Sequence, residues 1–132
     1  MHELKVLVID DEPDFMETIV KRLQKRKLFV VGVGSGEEAL ALLMKEAFDV
    51  AVLDVRMPGM DGIETLKEMK KRSPLTEVIM LTGHGSVESG MQGMSMGAFD
   101  YMIKPADFDE LFEKITQAGE RKMLHQERIE KV

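Results

Sequence analysis

Apolar runs too short for helices alternate along this chain with stretches of helical period. The strand candidates are Lys5–Ile9, Phe29–Val33, Val50–Asp54, Val78–Thr82 and Tyr101–Lys104. The first, third and fourth are apolar without alternation, the pattern of parallel strands covered on both faces. Between the strands, apolar side chains recur at helical spacing. They are Phe15, Ile19, Val20 and Leu23, then Ala39, Leu42 and Leu43, and later Phe108, Leu111, Phe112 and Ile115. Helix starts are marked by Ser35, Asp61 and Asp107, each three residues before a glutamate, and Pro13 suits a first turn. Strand followed by helix, repeated five times, predicts an α/β domain with right-handed crossovers and a parallel sheet covered by helices on both faces.

In such a sheet ligands bind outside the carboxyl ends of the strands. Here those ends are polar. Asp10 and Asp11 close the first run, Asp54 the third, Thr82 the fourth and Lys104 the fifth. Crowded carboxylates raise one another's pKa unless a cation neutralises them. Oxygen-only ligation with room for water suits Mg²⁺, which commonly shares its shell with phosphate. A carboxylate can also serve as a nucleophile and form an aspartyl phosphate. Lys104 can then pair with a phosphoryl oxygen, and Thr82 can donate its hydroxyl.

Composition narrows the picture further. The 132 residues fit one domain, and a net charge of −6 argues against direct nucleic-acid binding by this chain. Without cysteine there is no disulfide and no thiolate metal site, and no apolar run approaches membrane-spanning length. The expectation is a soluble cytoplasmic protein that makes no membrane contact. Residues 120–132 are strongly charged with sparse apolar positions, so the chain divides into a domain over 1–119 and a C-terminal extension over 120–132. That extension is either a continuation of the last helix, with Gly119 weakening it, or a frayed tail.

Five motifs in order resemble the receiver domains of two-component response regulators. They are Val8-Ile9-Asp10-Asp11-Glu12, the stretch from Leu53 to Gly62, Leu81-Thr82-Gly83-His84-Gly85, Gly97-Ala98-Phe99-Asp100-Tyr101 and Ile103-Lys104-Pro105. The resemblance implies a flavodoxin-like, doubly wound five-stranded sheet of order 2-1-3-4-5 with five helices, and commonly a cis Lys104–Pro105 bond. It further implies that Asp54 accepts a phosphoryl group from a sensor histidine kinase. Asp10, Asp11, Asp54 and the backbone carbonyl of Arg56 would hold Mg²⁺, or Mn²⁺ in its place. Thr82 and Lys104 would contact the phosphoryl group, Thr82 and Tyr101 would form a switch pair, and Arg56 and His84 would tune hydrolysis.

By the same resemblance the output surface comprises the fourth helix, the fifth strand and the fifth helix, and acts on an output domain or a downstream protein. A homodimer on phosphorylation belongs to the same pattern, as does a chain that is a signalling switch and not a metabolic enzyme. Gly90 and Gly93 lie inside the candidate fourth helix, and each costs about 1 kcal/mol relative to alanine. An intrinsically weak fourth helix, easing the switch, is the expectation. The competing reading is a Mg²⁺-dependent phosphohydrolase with an aspartyl phosphate intermediate. Such enzymes usually carry a general-acid aspartate two residues after the nucleophile, where this chain has Arg56, which cannot act as an acid.

Overall fold

The structure, a computed structural model, describes residues 3–57, 59–83 and 87–131, without the side chain of residue 87. Five strands alternate with five helices: β1 (Lys5–Ile9), α1 (Pro13–Lys25), β2 (Phe29–Val33), α2 (Gly36–Leu43), β3 (Val50–Asp54), α3 (Gly62–Arg72), β4 (Glu77–Thr82), α4 (Val87–Ser95), β5 (Asp100–Ile103) and α5 (Phe108–Glu130). All pairings are parallel, in the order β2-β1-β3-β4-β5. β4 begins one residue before its apolar run, at Glu77. β5 is Asp100–Ile103, so Lys104 follows the strand and is not its last residue.

Both faces of the sheet are apolar, as the unalternating runs require. Val6, Val8, Val50, Val52, Ile79 and Leu81 pack with Ile19 and Leu23 of α1 and Leu111 and Ile115 of α5. The intervening residues Leu7, Ile9, Ala51, Leu53, Val78 and Met80 pack with Ala39 and Leu40 of α2 and Leu66 and Met69 of α3. Strand side chains alternate between faces, so each strand supplies both layers of the core.

The helix starts follow the local signals with one change of partner. Ser35 Oγ accepts from Glu38 N at 3.1 Å, and Asp61 Oδ1 from Glu64 N at 2.9 Å. Asp107 accepts instead from the nearer Asp109 N, at 3.2 Å. α1 starts at Pro13, and its N-cap Glu12 makes no side-chain cap.

Three glycines inside helices have packing reasons. A Cβ on Gly119 would meet Leu4 Cδ2 at 2.6 Å, and α5 runs unbroken past this point to Glu130. Beyond Gly119 the helix is tied to the base of the sheet. Arg121 Nε lies 3.1 Å from Glu77 Oε2, and Lys122 Nζ lies 2.9 Å from the buried Asp49 Oδ1. In α4, a Cβ on Gly90 would meet the Tyr101 ring at 2.7 Å, and one on Gly93 would run into Met80 Sδ. Glycine at these positions weakens the helix intrinsically but lets it approach the sheet closely.

Candidate functional site at the carboxyl ends of the strands

The parallel register brings the polar strand ends to one edge. Asp54 is the last residue of β3 and Thr82 the last of β4. Asp10 immediately follows β1, its backbone N–H bonded to Val33 O at 3.1 Å across to β2. Lys104 immediately follows β5, its N–H bonded to Thr82 O at 2.7 Å. The next bond, Lys104–Pro105, is cis. Asp10, Asp54 and Thr82 are all buried, at 1%, 5% and 0% exposure.

Lys104 is the hub. Its Nζ donates to Asp10 Oδ2 at 3.0 Å and to Glu12 Oε1 at 3.3 Å, and it lies 3.6 Å from Asp54 Oδ1. The Phe15 ring backs the ammonium, its centroid 4.3 Å away. Burial works against the charge on Lys104, but the bond to Asp10 and the charges of Asp10, Asp54 and Glu12 more than offset it, so its pKa stands above that of an ordinary lysine. Asp54 behaves oppositely. Burial, reinforced by the charge of Asp10, pushes its pKa up to about 6, although Lys104 and the Arg56 N–H favour the ionised form. The site therefore holds more negative charge than one ammonium satisfies.

That surplus is what a divalent cation would remove. Carboxylate oxygens of Asp10, Glu12 and Asp54 lie within 4.8 Å of one another. An all-oxygen donor set with a buried carboxylate of raised pKa fits a hard cation such as Mg²⁺. Glu12 belongs to this group, whereas Asp11, half-exposed in the bend after Asp10, does not. Sequence reasoning passed over Glu12; the run of three consecutive acids was the available signal. Asp10 Oδ1 accepts from Glu12 N at 2.9 Å, a short turn that draws the glutamate back toward the strand end.

Behind Asp54 the backbone is wedged tightly. Val55 N donates to Leu81 O at 3.0 Å, and Gly62 N donates to Val55 O at 2.9 Å. A Cβ on Gly62 would stand 2.5 Å from Val55 Cα and 2.6 Å from Asp54 O. Gly62 thus lets α3 start directly against the residue pair that presents the carboxylate. Arg56 donates its backbone N–H to Asp54 Oδ1 at 3.3 Å, and its side chain is exposed.

Thr82 turns its hydroxyl toward β5, donating to Met102 O at 3.4 Å. Tyr101 pairs in register with Met80 and packs on the α4 side of the sheet, the side to which Thr82 also belongs by strand alternation. His84 lies outside the described residues.

Residues 6–116 match the response regulator receiver domain, and the chain belongs to that family. It is 36% identical over 118 residues to the response regulator protein PilR of Pseudomonas aeruginosa, covering 89% of this chain and 26% of that protein. It is 39% identical over 117 residues to the transcriptional regulatory protein ZraR of Salmonella typhimurium, covering 88% of this chain and 26% of that protein. A response regulator receiver domain protein from Clostridium thermocellum superposes with a TM-score of 0.88 at 36% identity, covering 92% of this chain and 98% of that one. The chain thus spans about a quarter of the length of these two curated relatives and nearly all of the isolated receiver. It is a receiver domain, a signalling module of two-component response regulators, which pair with sensor kinases and output domains. Among the described residues no helix is long and apolar enough to cross a membrane.

Proposed function

We propose that Asp54 is the phosphoacceptor of a phosphorylation-controlled switch. The observation that carries this reading is the convergence of Asp54, Asp10 and Lys104 at one strand-end edge. An Asp54 carboxylate oxygen would attack the phosphorus of a kinase phosphohistidine. The P–N bond breaks, a P–O bond forms, and the imidazole leaves with the electron pair. Lys104, held protonated by its neighbours, pairs with a phosphoryl oxygen, and the buried Thr82 exchanges its long bond to Met102 O for one to the phosphoryl group.

Mg²⁺, or Mn²⁺, when bound, offsets the charge of the carboxylates and of the incoming phosphoryl oxygens. Asp10, Asp11, Asp54 and the Arg56 carbonyl are the proposed ligands, with Glu12 an added candidate from its position in the carboxylate group. Phosphorylation replaces the single negative charge of the Asp54 carboxylate with a dianion, one further negative charge beside Asp10, which Lys104 must meet. Withdrawal of the Thr82 hydroxyl from β5 then releases Tyr101 to turn, which changes the surface formed by α4, β5 and α5. Arg56 and His84 tune the lifetime of the acyl phosphate.

In this reading residues 1–119 form the receiver unit, and 120–132 extend its last helix toward an output domain, a downstream protein or a second copy. The module works in the cytoplasm and has no metabolic substrate. Arg56 stands two residues after Asp54, where a phosphohydrolase needs an acid, and this favours the switch over the hydrolase.

The test is incubation with acetyl phosphate, with and without Mg²⁺, read by intact mass. One phosphoryl group per chain is expected in wild type with Mg²⁺ and none in Asp54→Asn. Equal labelling of the two proteins would overturn the assignment.

A further inference from the structure

Tyr101 and Gly90 meet more closely than a helix and a strand side chain ordinarily do. A Cβ built on Gly90 would lie 2.7 Å from Tyr101 Cδ2, 2.9 Å from Cγ and 3.2 Å from Cε2. Those three atoms define one side of the ring near its root. Swinging a flexible chain end aside would not relieve the contact; the ring as a whole must move. Gly90 is buried and Tyr101 half-buried, so the contact is part of the packed seam between α4 and β5. One helical turn further, Gly93 takes Met80, the register partner of Tyr101 on β4. α4 therefore lies on the neighbouring pair Met80 and Tyr101 through two positions without a Cβ.

We propose that Gly90 is a positioning residue of the switch: its missing Cβ is the seat that Tyr101 occupies while Asp54 is unmodified. This rests on the reading of Thr82 and Tyr101 as the switch pair. Thr82 donates to the carbonyl of Met102, the residue after Tyr101, so the hydroxyl and the ring occupy adjoining positions of one seam. Movement of the Thr82 hydroxyl toward a phosphoryl group opens space on the sheet side, and the ring leaves Gly90 to fill it. The size of residue 90 thus sets the balance between two ring positions. Alanine at 90 removes the seat and biases the domain toward its phosphorylated arrangement before any phosphoryl group is present. A glycine in mid-helix, costly for α4 alone, gives the ring its resting place.

Tyr101 is the single tyrosine of a chain without tryptophan, so tyrosine emission reports on this ring alone. The experiment measures acrylamide quenching of that emission, with and without beryllofluoride and Mg²⁺, in wild type, Gly90→Ala and Gly93→Ala. Gly93→Ala is the matched control, because it gains the same helix propensity but meets Met80 instead of the ring. The expected result is a beryllofluoride-induced change in wild type. Gly90→Ala without beryllofluoride should already be shifted toward that value, and Gly93→Ala should behave as wild type.

An unshifted Gly90→Ala beside a responsive wild type would overturn the proposal and leave the switch pair standing. A wild type that does not respond would overturn both. An equal shift in the two alanine variants would assign the effect to helix propensity and overturn the role of the seat. The second measurement is the rate of phosphorylation by acetyl phosphate in a double-mutant cycle with Tyr101→Ala. Gly90→Ala is expected to raise the rate in the wild-type background and to have no effect once the ring is gone. The same acceleration in both backgrounds would contradict the proposal, whatever the quenching shows.

Discussion

Lys104 Nζ and Asp10 Oδ2, 94 positions apart in the chain, lie 3.0 Å apart at the edge of the sheet. Asp10 is almost fully buried, and the lysine is the cation that makes its burial tolerable. The pair also joins β1 to the segment after β5, and so closes the site across the full width of β1-β3-β4-β5.

Removing the lysine should therefore destabilise the domain. Lys104→Met leaves the buried Asp10 carboxylate without its ammonium, a loss of about 3 kcal/mol by the scale of broken buried pairs. Urea unfolding checks this. Saturating Mg²⁺ should restore part of the loss in the variant, because the cation takes over the neutralising charge.

The raised pKa of Asp54 has the opposite sign. A carboxyl whose folded pKa lies above its unfolded value favours folding only while protonated. Its contribution is fully present below the ordinary carboxylate range and is lost as pH rises through about 6. Without Mg²⁺, Asp54→Asn should thus be more stable than wild type at neutral pH, by up to about 3 kcal/mol. The difference should shrink as pH falls through 6 toward 4. Parallel urea titrations across this range measure it, and a difference that grows on acidification would refute the sign.

Gly62→Ala tests the wedge behind Asp54. Helix propensity alone predicts a gain of about 1 kcal/mol. The new methyl would instead stand against backbone atoms of Asp54 and Val55, which have no flexible side chain to yield. A net loss of about 1–3 kcal/mol is expected, together with slower phosphorylation of the variant population that remains folded. Thermal unfolding and acetyl phosphate kinetics give the two readouts.

At the opposite end of the sheet, Lys122 Nζ bonds Asp49 Oδ1 at 2.9 Å and Gln126 Oε1 at 2.6 Å. Asp49 also accepts from Lys5 N at 2.8 Å. Lys122→Ala should cost about 3 kcal/mol, because it removes the ammonium paired with the buried Asp49 carboxylate. It should also raise amide hydrogen exchange over residues 120–130, where α5 loses an anchor. Unchanged exchange there would show that Arg121 and Glu77 suffice to hold the helix.

The fold was legible because both faces of the sheet are covered. Val6-Leu7-Val8-Ile9 and Val50-Ala51-Val52-Leu53 have no polar face to conceal their strand character, and the caps at Ser35 and Asp61 bond as their spacing implies. Asp10, Asp54, Thr82 and Lys104 could be anticipated because parallel strands deliver their ends to one edge. Glu12 was not. Its part depends on a turn at Asp10 and on the reach of Lys104, neither of which has a periodicity. The use of the glycines in α4 and α5 was hidden for a related reason. Propensity registers only their cost, whereas their use lies in Tyr101, Met80 and Leu4, residues distant in sequence.

A phosphoryl group on Asp54 can be trapped chemically. Borohydride reduces an aspartyl phosphate to homoserine, which marks the acceptor permanently. After acetyl phosphate and Mg²⁺, tryptic cleavage at Lys45 and Arg56 releases one peptide holding both Asp49 and Asp54, and fragmentation distinguishes them. Homoserine is expected at position 54 alone. Homoserine at position 10, 11 or 49, with Asp54 unchanged, would contradict it.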